Sequence, residues 1–290
     1  MIASLPPHHR GMIFAILGYT AFSFADVNAK WLTQDFSLYQ LIVVQTALAS
    51  VLLAGLSPIL GGWKGIWVRR EFPIHVARMV LNFLCMIVIV HSFTILSLAS
   101  IYTMIFAKPF FAVLLAIVFY GEKVGIKRWA AIIAGFSGVL VILRPGFNDA
   151  GVDLLWPLAA AVIVAVMFVS ARSLKECSPF VLGFYPIVGT CLIGLPFLLS
   201  GDHYTAPDIW QWGHFALGAA LMSAGMTFIS LAFRTADASV VTPFLYTEMI
   251  WGILFGYLLF GDVVDLWMII GTAIIIASGL YVMRLKEDTA

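Results

Sequence analysis

The chain has 290 residues, 62% of them hydrophobic and 11% charged, with a formal net charge of +1 and a mean hydropathy of +1.02. Soluble domains carry about a quarter charged residues, so this composition excludes a water-soluble fold and reads as a membrane protein. The balanced charge points to no nucleic-acid or acidic partner. The cysteines Cys85, Cys177 and Cys191 form no CxxC and no metal-ligand spacing, so they read as small apolar residues, and no disulfide, metal or cofactor is expected.

A bilayer core about 30 Å thick takes about 20 apolar residues per helix. The opening "MIASLPPHHR" shows no cleavable signal and runs straight into the first such segment. Ten segments qualify in chain order: 11–31, 38–57, 73–95, 98–120, 126–143, 152–173, 179–199, 212–233, 239–260 and 265–283. The turn-rich pieces "SPILGGWKG", "RPGFNDAG" and "SGDHYTAPD" punctuate them, and the fifth, opening on Lys127 and Arg128, is the shortest. Nothing alternates as a barrel strand would, so the fold class is an all-α integral membrane protein with ten transmembrane helices.

One side of this topology holds Arg10, Lys64, Arg69, Arg70, Arg78, Lys123, Lys127, Arg128, Arg172, Lys175, Arg234, Arg284 and Lys286, while the other holds only Lys30 and Arg144. The positive-inside rule then puts both termini in the cytoplasm of a multi-pass protein.

The halves resemble each other at an offset of 139 to 142 residues. "VNAKWL" (27–32) matches "VSARSL" (169–174), "SLAS" (97–100) matches "ADAS" (236–239), "FYGEKV" (119–124) matches "LFGDVV" (259–264) and "SGVL" (137–140) matches "SGLY" (278–281). Five spans per half is an odd number, so the second copy enters the membrane inverted. Two inverted halves, residues 1–144 and 145–290, are expected. Inverted repeats are a recurring plan of secondary transporters, because exchanging the halves' conformations turns an inward-open site into an outward-open one.

With these motifs the chain resembles the drug/metabolite transporter superfamily, in its EamA-type branch. Pro109 followed by Gly121-Glu122 fits the family's fourth helix, and Gly261-Asp262 fits the ninth. The usual Glu-Pro of the ninth helix is Glu248-Met249 here, and Gln45 stands where the second helix often has arginine. The resemblance implies a carrier in the bacterial inner membrane, exporting amino acids, aromatic ones included, or related metabolites. Carriers or flippases for another metabolite or a lipid precursor are the alternative.

Lys108 and Glu248 are separated by the repeat offset, so opposite charges occupy equivalent places in spans four and nine. A charge at the bilayer centre costs roughly 2.5–3.5 kcal/mol on insertion scales, so both should face the interior. Read as continuous helices, the spans put Met104, Ile105, Phe111 and Ala112 on Lys108's face, and Phe244, Leu245, Trp251 and Gly252 on that of Glu248. Lys108, Glu248, Phe111 and Trp251 are therefore candidates to bind a zwitterion with an apolar side chain; alternatively the two charges pair and hold the halves together.

Tyr102, Tyr246 and Thr242 are candidate hydrogen-bond donors to substrate, and His91 is a candidate titrating group. Asn82 and His91, nine residues apart, lie on opposite faces of span three. Asp26 and Lys30 read as an intrahelical pair or as the outer mouth of the pathway. Pro109 and Pro243 are candidate hinges. "GILFG" (252–256) signals close helix approach, within a monomer or, as the alternative, across a weak dimer. The expected partners are a small-molecule substrate and the lipid bilayer. No paired carboxylates, HExxH or phosphate loop supports an enzyme, and no loop is long enough for an ATP-binding domain.

Overall fold

The computed structural model describes residues 6–67, 70–121, 125–143, 152–171, 173–174, 176–201, 203–236, 238–263 and 265–287. All regular structure among them is helical. The elements are α1 Pro7–Leu32, α2 Leu38–Leu56, α3 Phe72–Ile95, α4 Leu98–Ile105, α5 Lys108–Tyr120, α6 Ile126–Leu143, α7 Leu155–Ala171, α8 Pro179–Leu199, α9 Ile209–Thr235, α10 Ala238–Val241, a 3-10 turn Thr242–Leu245, α11 Tyr246–Phe260 and α12 Leu266–Glu287. Seven stretches are long and apolar enough to cross a bilayer, and Trp129–Leu143, Leu155–Ala171 and Leu266–Tyr281 are shorter apolar helices, so the ten expected spans are all helical.

Spans four and nine are not continuous, contrary to the sequence expectation. Span four breaks at Phe106 and Ala107 into α4 and α5, and span nine passes from α10 through the 3-10 turn into α11. Pro109 has no N–H to offer the Ile105 carbonyl, and the chain compensates with tighter bonds, Ala107 N to Met104 O at 3.1 Å and Phe110 N to Ala107 O at 3.0 Å. Pro243 lies inside the 3-10 turn. Met104 and Ile105 therefore do not share a helical face with Lys108, which opens α5 instead.

The halves repeat one another in detail. Both interrupted spans end on a left-handed glycine, Gly121 at φ 63° and Gly261 at φ 68°, a conformation that glycine adopts without Cβ strain. Ser37 caps α2 and Ser178 caps α8. Ser37 Oγ donates to His203 O at 2.6 Å and Ser178 Oγ donates to Gly62 O at 2.6 Å. Ser37 to Ser178 and Gly62 to His203 are both steps of 141 residues. Opposite ends of the bundle are thus tied by one device used twice.

Helix pairing follows the same rule. α2 packs on α8 and α6 on α12, each joining equivalent spans of the two halves, while α1 packs on α9 as α3 packs on α7. The α1–α9 contact is the more extensive of that second couple. Glycines permit the close approaches: a Cβ on Gly18 would lie 2.7 Å from Ile229, and one on Gly252 would lie 2.1 Å from the Tyr102 ring. Gly252 of "GILFG" thus serves packing of α11 on α4, while a Cβ on Gly256 would meet Asp262.

Gly252→Val is expected to lower the melting temperature in detergent, at a cost of about 1–3 kcal/mol for overpacking. Gly55→Ala, where an added Cβ meets nothing within 4 Å, is expected to leave it unchanged or slightly raised.

Candidate functional site

A cavity with a volume of about 280 Å³ lies among α1, α2, α3, α7, α8 and α9. Its walls are mostly apolar, with Met86, Phe93, Met222 and Met226 among them, and its polar groups are Asp26, Gln45, Thr46, Arg78 and Asn82. A few polar groups set in an apolar wall are the usual composition of a small-molecule site.

Asp26, Asn82 and Arg78 are held from behind. Tyr102 Oη, from α4, donates to Asp26 Oδ2 at 2.6 Å. Asn82 Nδ2 donates to Thr190 Oγ1 at 2.7 Å. Arg78 donates through Nη1 to the Met167 carbonyl and, at 3.3 Å, to Ser170 Oγ, and through Nη2 to Leu182 O at 3.3 Å. That last carbonyl is free because Pro186, four residues on inside α8, has no N–H to give it. A proline in one helix thus creates the acceptor that anchors an arginine of another.

Arg78 was expected among the loop charges of one membrane face. Instead it is buried, 7% exposed, on the cavity wall. Asp26 and Lys30 do not pair with each other. Lys30 Nζ donates to Leu96 O at 2.8 Å and lies 3.7 Å from Asp262 Oδ2, while the Leu98 N–H donates to the same Asp262 oxygen at 3.0 Å. This cluster latches the ends of α1, α4 and α11 together, beside Asn28, whose Oδ1 lies 2.7 Å from His214 Nδ1.

Lys108 and Glu248 are 8% and 9% exposed. They form no ion pair with each other among the described residues, where the sole one is Lys30 with Asp262. They are nonetheless close enough to act on one another electrostatically, and the Lys108 charge reaches Asp26 as well. Two carboxylates and one ammonium therefore sit near one another in the bundle, between the Tyr102 hydroxyl and the helix interruptions. Lys108 Nζ also lies 5.7 Å from the Phe106 ring centroid.

The other sequence candidates are distributed around this group. Tyr246 stacks on Phe106 at 5.2 Å between centroids. Phe111 turns away onto Phe136 of α6, edge-on at 5.2 Å. Trp251 Nε1 donates to Thr20 Oγ1 of α1 at 2.9 Å. Phe111 and Trp251 thus pack on different neighbours. His91 meets Trp156 edge-on at 4.9 Å and is not on the cavity wall, whereas Asn82 is. Thr242 opens the 3-10 turn, but its side chain falls outside the described residues.

Residues 9–144 and again 152–284 match the model of the EamA-like transporter family. The chain belongs to the EamA-like transporter family. Among curated proteins this EamA-like chain is 28% identical to a riboflavin transporter of Rhizobium johnstonii, over 94% of the chain and 91% of that protein. It is 24% identical to an S-adenosylmethionine uptake transporter of Rickettsia prowazekii, over 99% of the chain and 96% of that protein. A solved crystal structure superposes with a TM-score of 0.66 at 16% identity, covering 96% of the chain and 98% of the other, which shows the shared fold. It is a multi-pass membrane transporter of small metabolites. These two relatives carry the names of transporters for riboflavin and S-adenosylmethionine, not of the amino-acid exporters that the resemblance implied.

Asp262→Ala removes the shared acceptor of Lys30 and Leu98. Hydrogen bonds to charged groups are worth about 1.5–3 kcal/mol, so the latched end should open on the order of tenfold more often. A cysteine placed at Gln45 on the cavity wall is then expected to react about tenfold faster with a membrane-impermeant maleimide applied from that side. An unchanged rate would assign Asp262 to helix capping alone.

Proposed function

We propose that the chain is a secondary carrier that takes up a zwitterionic or amphipathic organic metabolite by alternating access between two inverted halves. The single observation that carries this reading is the group Asp26, Lys108 and Glu248, which forms no ion pair among the described residues and lies where the two interrupted spans meet the Asp26–Tyr102 bond. A carboxylate on the substrate suits Lys108, and an ammonium or sulfonium suits the two acids. The apolar cavity beside Asp26 suits the rest of the molecule. Its volume of about 280 Å³ is near the lower end of ligand pockets, roughly 300–1,000 Å³.

Interrupted spans at the repeat interface are the recurrent place for such sites, since half-helices end there with free backbone groups. On the positive-inside count, the Lys30–Asp262 latch lies on the outer face and the Ser178–Gly62 tie on the cytoplasmic face. Residues 1–144 and 145–290 are then the two moving halves in a bacterial inner membrane, with Pro109 and Pro243 as the flexible points. Uptake is favoured over export by the names of the relatives. Export of an amino acid is the second reading, favoured by the same pairing of one ammonium with two carboxylates.

The test is counterflow into proteoliposomes of labelled S-adenosylmethionine, riboflavin and aromatic amino acids, comparing wild type with Lys108→Ala and Asp26→Asn. Saturable flux of one class, lost at least about tenfold in both variants while their melting temperatures stay within a few degrees, is the expected result. Flux unaffected by either variant would remove the charged group from the site. Absence of flux for the whole panel in folded protein would turn the reading toward a lipid or lipid precursor.

A further inference from the structure

At the bundle end tied by Ser178 and Gly62, three donor side chains from two distant places in the chain converge. Cys177 Sγ lies 3.0 Å from Glu71 Oε2 and 3.3 Å from His75 Nε2, and one donor atom from each of the three falls within 4.8 Å of the others. We infer that Glu71, His75 and Cys177 form a binding site for a zinc-class divalent cation, joining the first half of the chain to the second.

The donor chemistry is that of zinc: one thiolate, one imidazole and one carboxylate, with a fourth position left for water. With metal–sulfur and metal–nitrogen bonds of about 2.3 and 2.0 Å, tetrahedral ligands stand roughly 3.5 Å apart. The two measured separations are a few tenths of an ångström shorter, so a cation needs only a small spreading of the side chains.

Local structure holds the donors in place. Glu71 precedes α3 and His75 is one turn later, so both side chains occupy one helix face, and His75 N donates to Glu71 O at 3.2 Å. The connection carrying Cys177 is pinned across them by Ser178 N to Lys64 O at 3.0 Å and by Phe180 N to Leu60 O at 3.3 Å. Gly65 has φ +80°, and a Cβ there would lie 2.6 Å from Glu176 O, so the two loops cross at backbone contact. Tyr185 stacks on the His75 ring at 4.3 Å and fixes its plane.

Among the described residues, hydrogen bonding at this spot is incomplete and no cation pairs with the carboxylate. His75 is 1% exposed, and its Nδ1 has no hydrogen-bond partner among the described residues. Glu71 is 8% exposed and pairs with no cation within ion-pair distance among the described residues. Arg78, one turn along α3, is committed to Met167 O, Ser170 Oγ and Leu182 O instead. A buried carboxylate and a half-satisfied imidazole facing a thiol are costly without a further partner, and a cation supplies one.

The set is not a relic of duplication. The offset that maps Ser37 onto Ser178 puts Phe36, Trp212 and Ala216 at the equivalents of Cys177, Glu71 and His75, and none of these binds metal. The metal set is not legible in the sequence because Cys177 lies more than 100 residues from Glu71 and His75, and that pair alone is a weak signal. A bound cation bridges elements of both halves at one end only. That it would hold that end shut rests on the carrier reading; the site itself does not.

The full chain, purified in detergent, equilibrated with zinc and desalted, is assayed for retained metal by mass spectrometry. Stoichiometric zinc is expected, with affinity falling at least about 100-fold in Cys177→Ser and in His75→Gln. That is the upper end of what losing a ligand's own hydrogen-bond partner costs. Cys85→Ser and Cys191→Ser should bind as wild type. Should the ligand variants fail to fold, cobalt(II) titration of wild type answers alone: a thiolate-to-metal absorption band with the visible bands of a four-coordinate ion is expected. No retained zinc and no such band, or zinc retained equally by Cys177→Ser, would overturn the site. None of these readouts depends on transport, so a failed flux assay leaves the inference standing.

Discussion

The structure depends on how three ionisable groups are kept inside an apolar bundle without direct pairing. Isolated charges in a low-dielectric interior are prohibitive, and each must find compensation from charge, dipole or hydrogen bond. Glu248 lies in the first turn of α11, where the helix dipole favours an anion. Lys108 is the first residue of α5, where the same dipole opposes a cation. Lys108 therefore depends on the fields of Asp26 and Glu248. Breaking span four ahead of Lys108 is what lets the ammonium turn toward those acids.

The two ends of the bundle use the same frame and different chemistry. The frame is the serine tie repeated at a step of 141 residues. Around it, one end adds an amide–imidazole contact, Asn28 with His214, and the Lys30–Asp262 latch. The other adds Arg78 on backbone carbonyls and the Glu71–His75–Cys177 group. A carrier needs equivalent geometry at both ends so that either can close. It also needs unequal energies, because identical ends would leave no means of setting which state is preferred in the absence of substrate.

Much of the frame is legible in the sequence, because bilayer thickness fixes span length and glycine and proline punctuate the ends. The ten spans, the repeat offset and Lys108 with Glu248 as buried equivalents all come from local pattern. What pattern does not contain is which helix lies beside which. Asp26 binds Tyr102 across 76 residues rather than Lys30 one turn away, and Lys30 reaches Asp262 in the other half. Phe111 and Trp251 share a helical spacing with the charges but not a direction, since each packs on a different neighbour. Two signals were readable: Arg78 lies too far inside span three for a loop charge, and Lys-Pro in mid-span marks a break that invalidates face counting across it.

These contacts suggest how substrate would be linked to the outer latch under the carrier reading. Asp26 and Lys30 are one turn apart on α1; Asp26 accepts from Tyr102 of α4, and Lys30 shares Asp262 with the N–H of Leu98, one turn before Tyr102 on α4. α1 and α4 are thus joined at two successive levels, once at the site and once at the end of the bundle. A substrate cation that takes Asp26 competes with the Tyr102 hydroxyl for it and loosens the inner join. The outer join then carries the full load of keeping α4 against α1, with Lys30 and Asp262 as its charged members. In that state a shift of α4 costs less than in the empty protein. Closure is therefore weakest when the site is filled, which is the order of events that a carrier, rather than a channel, requires.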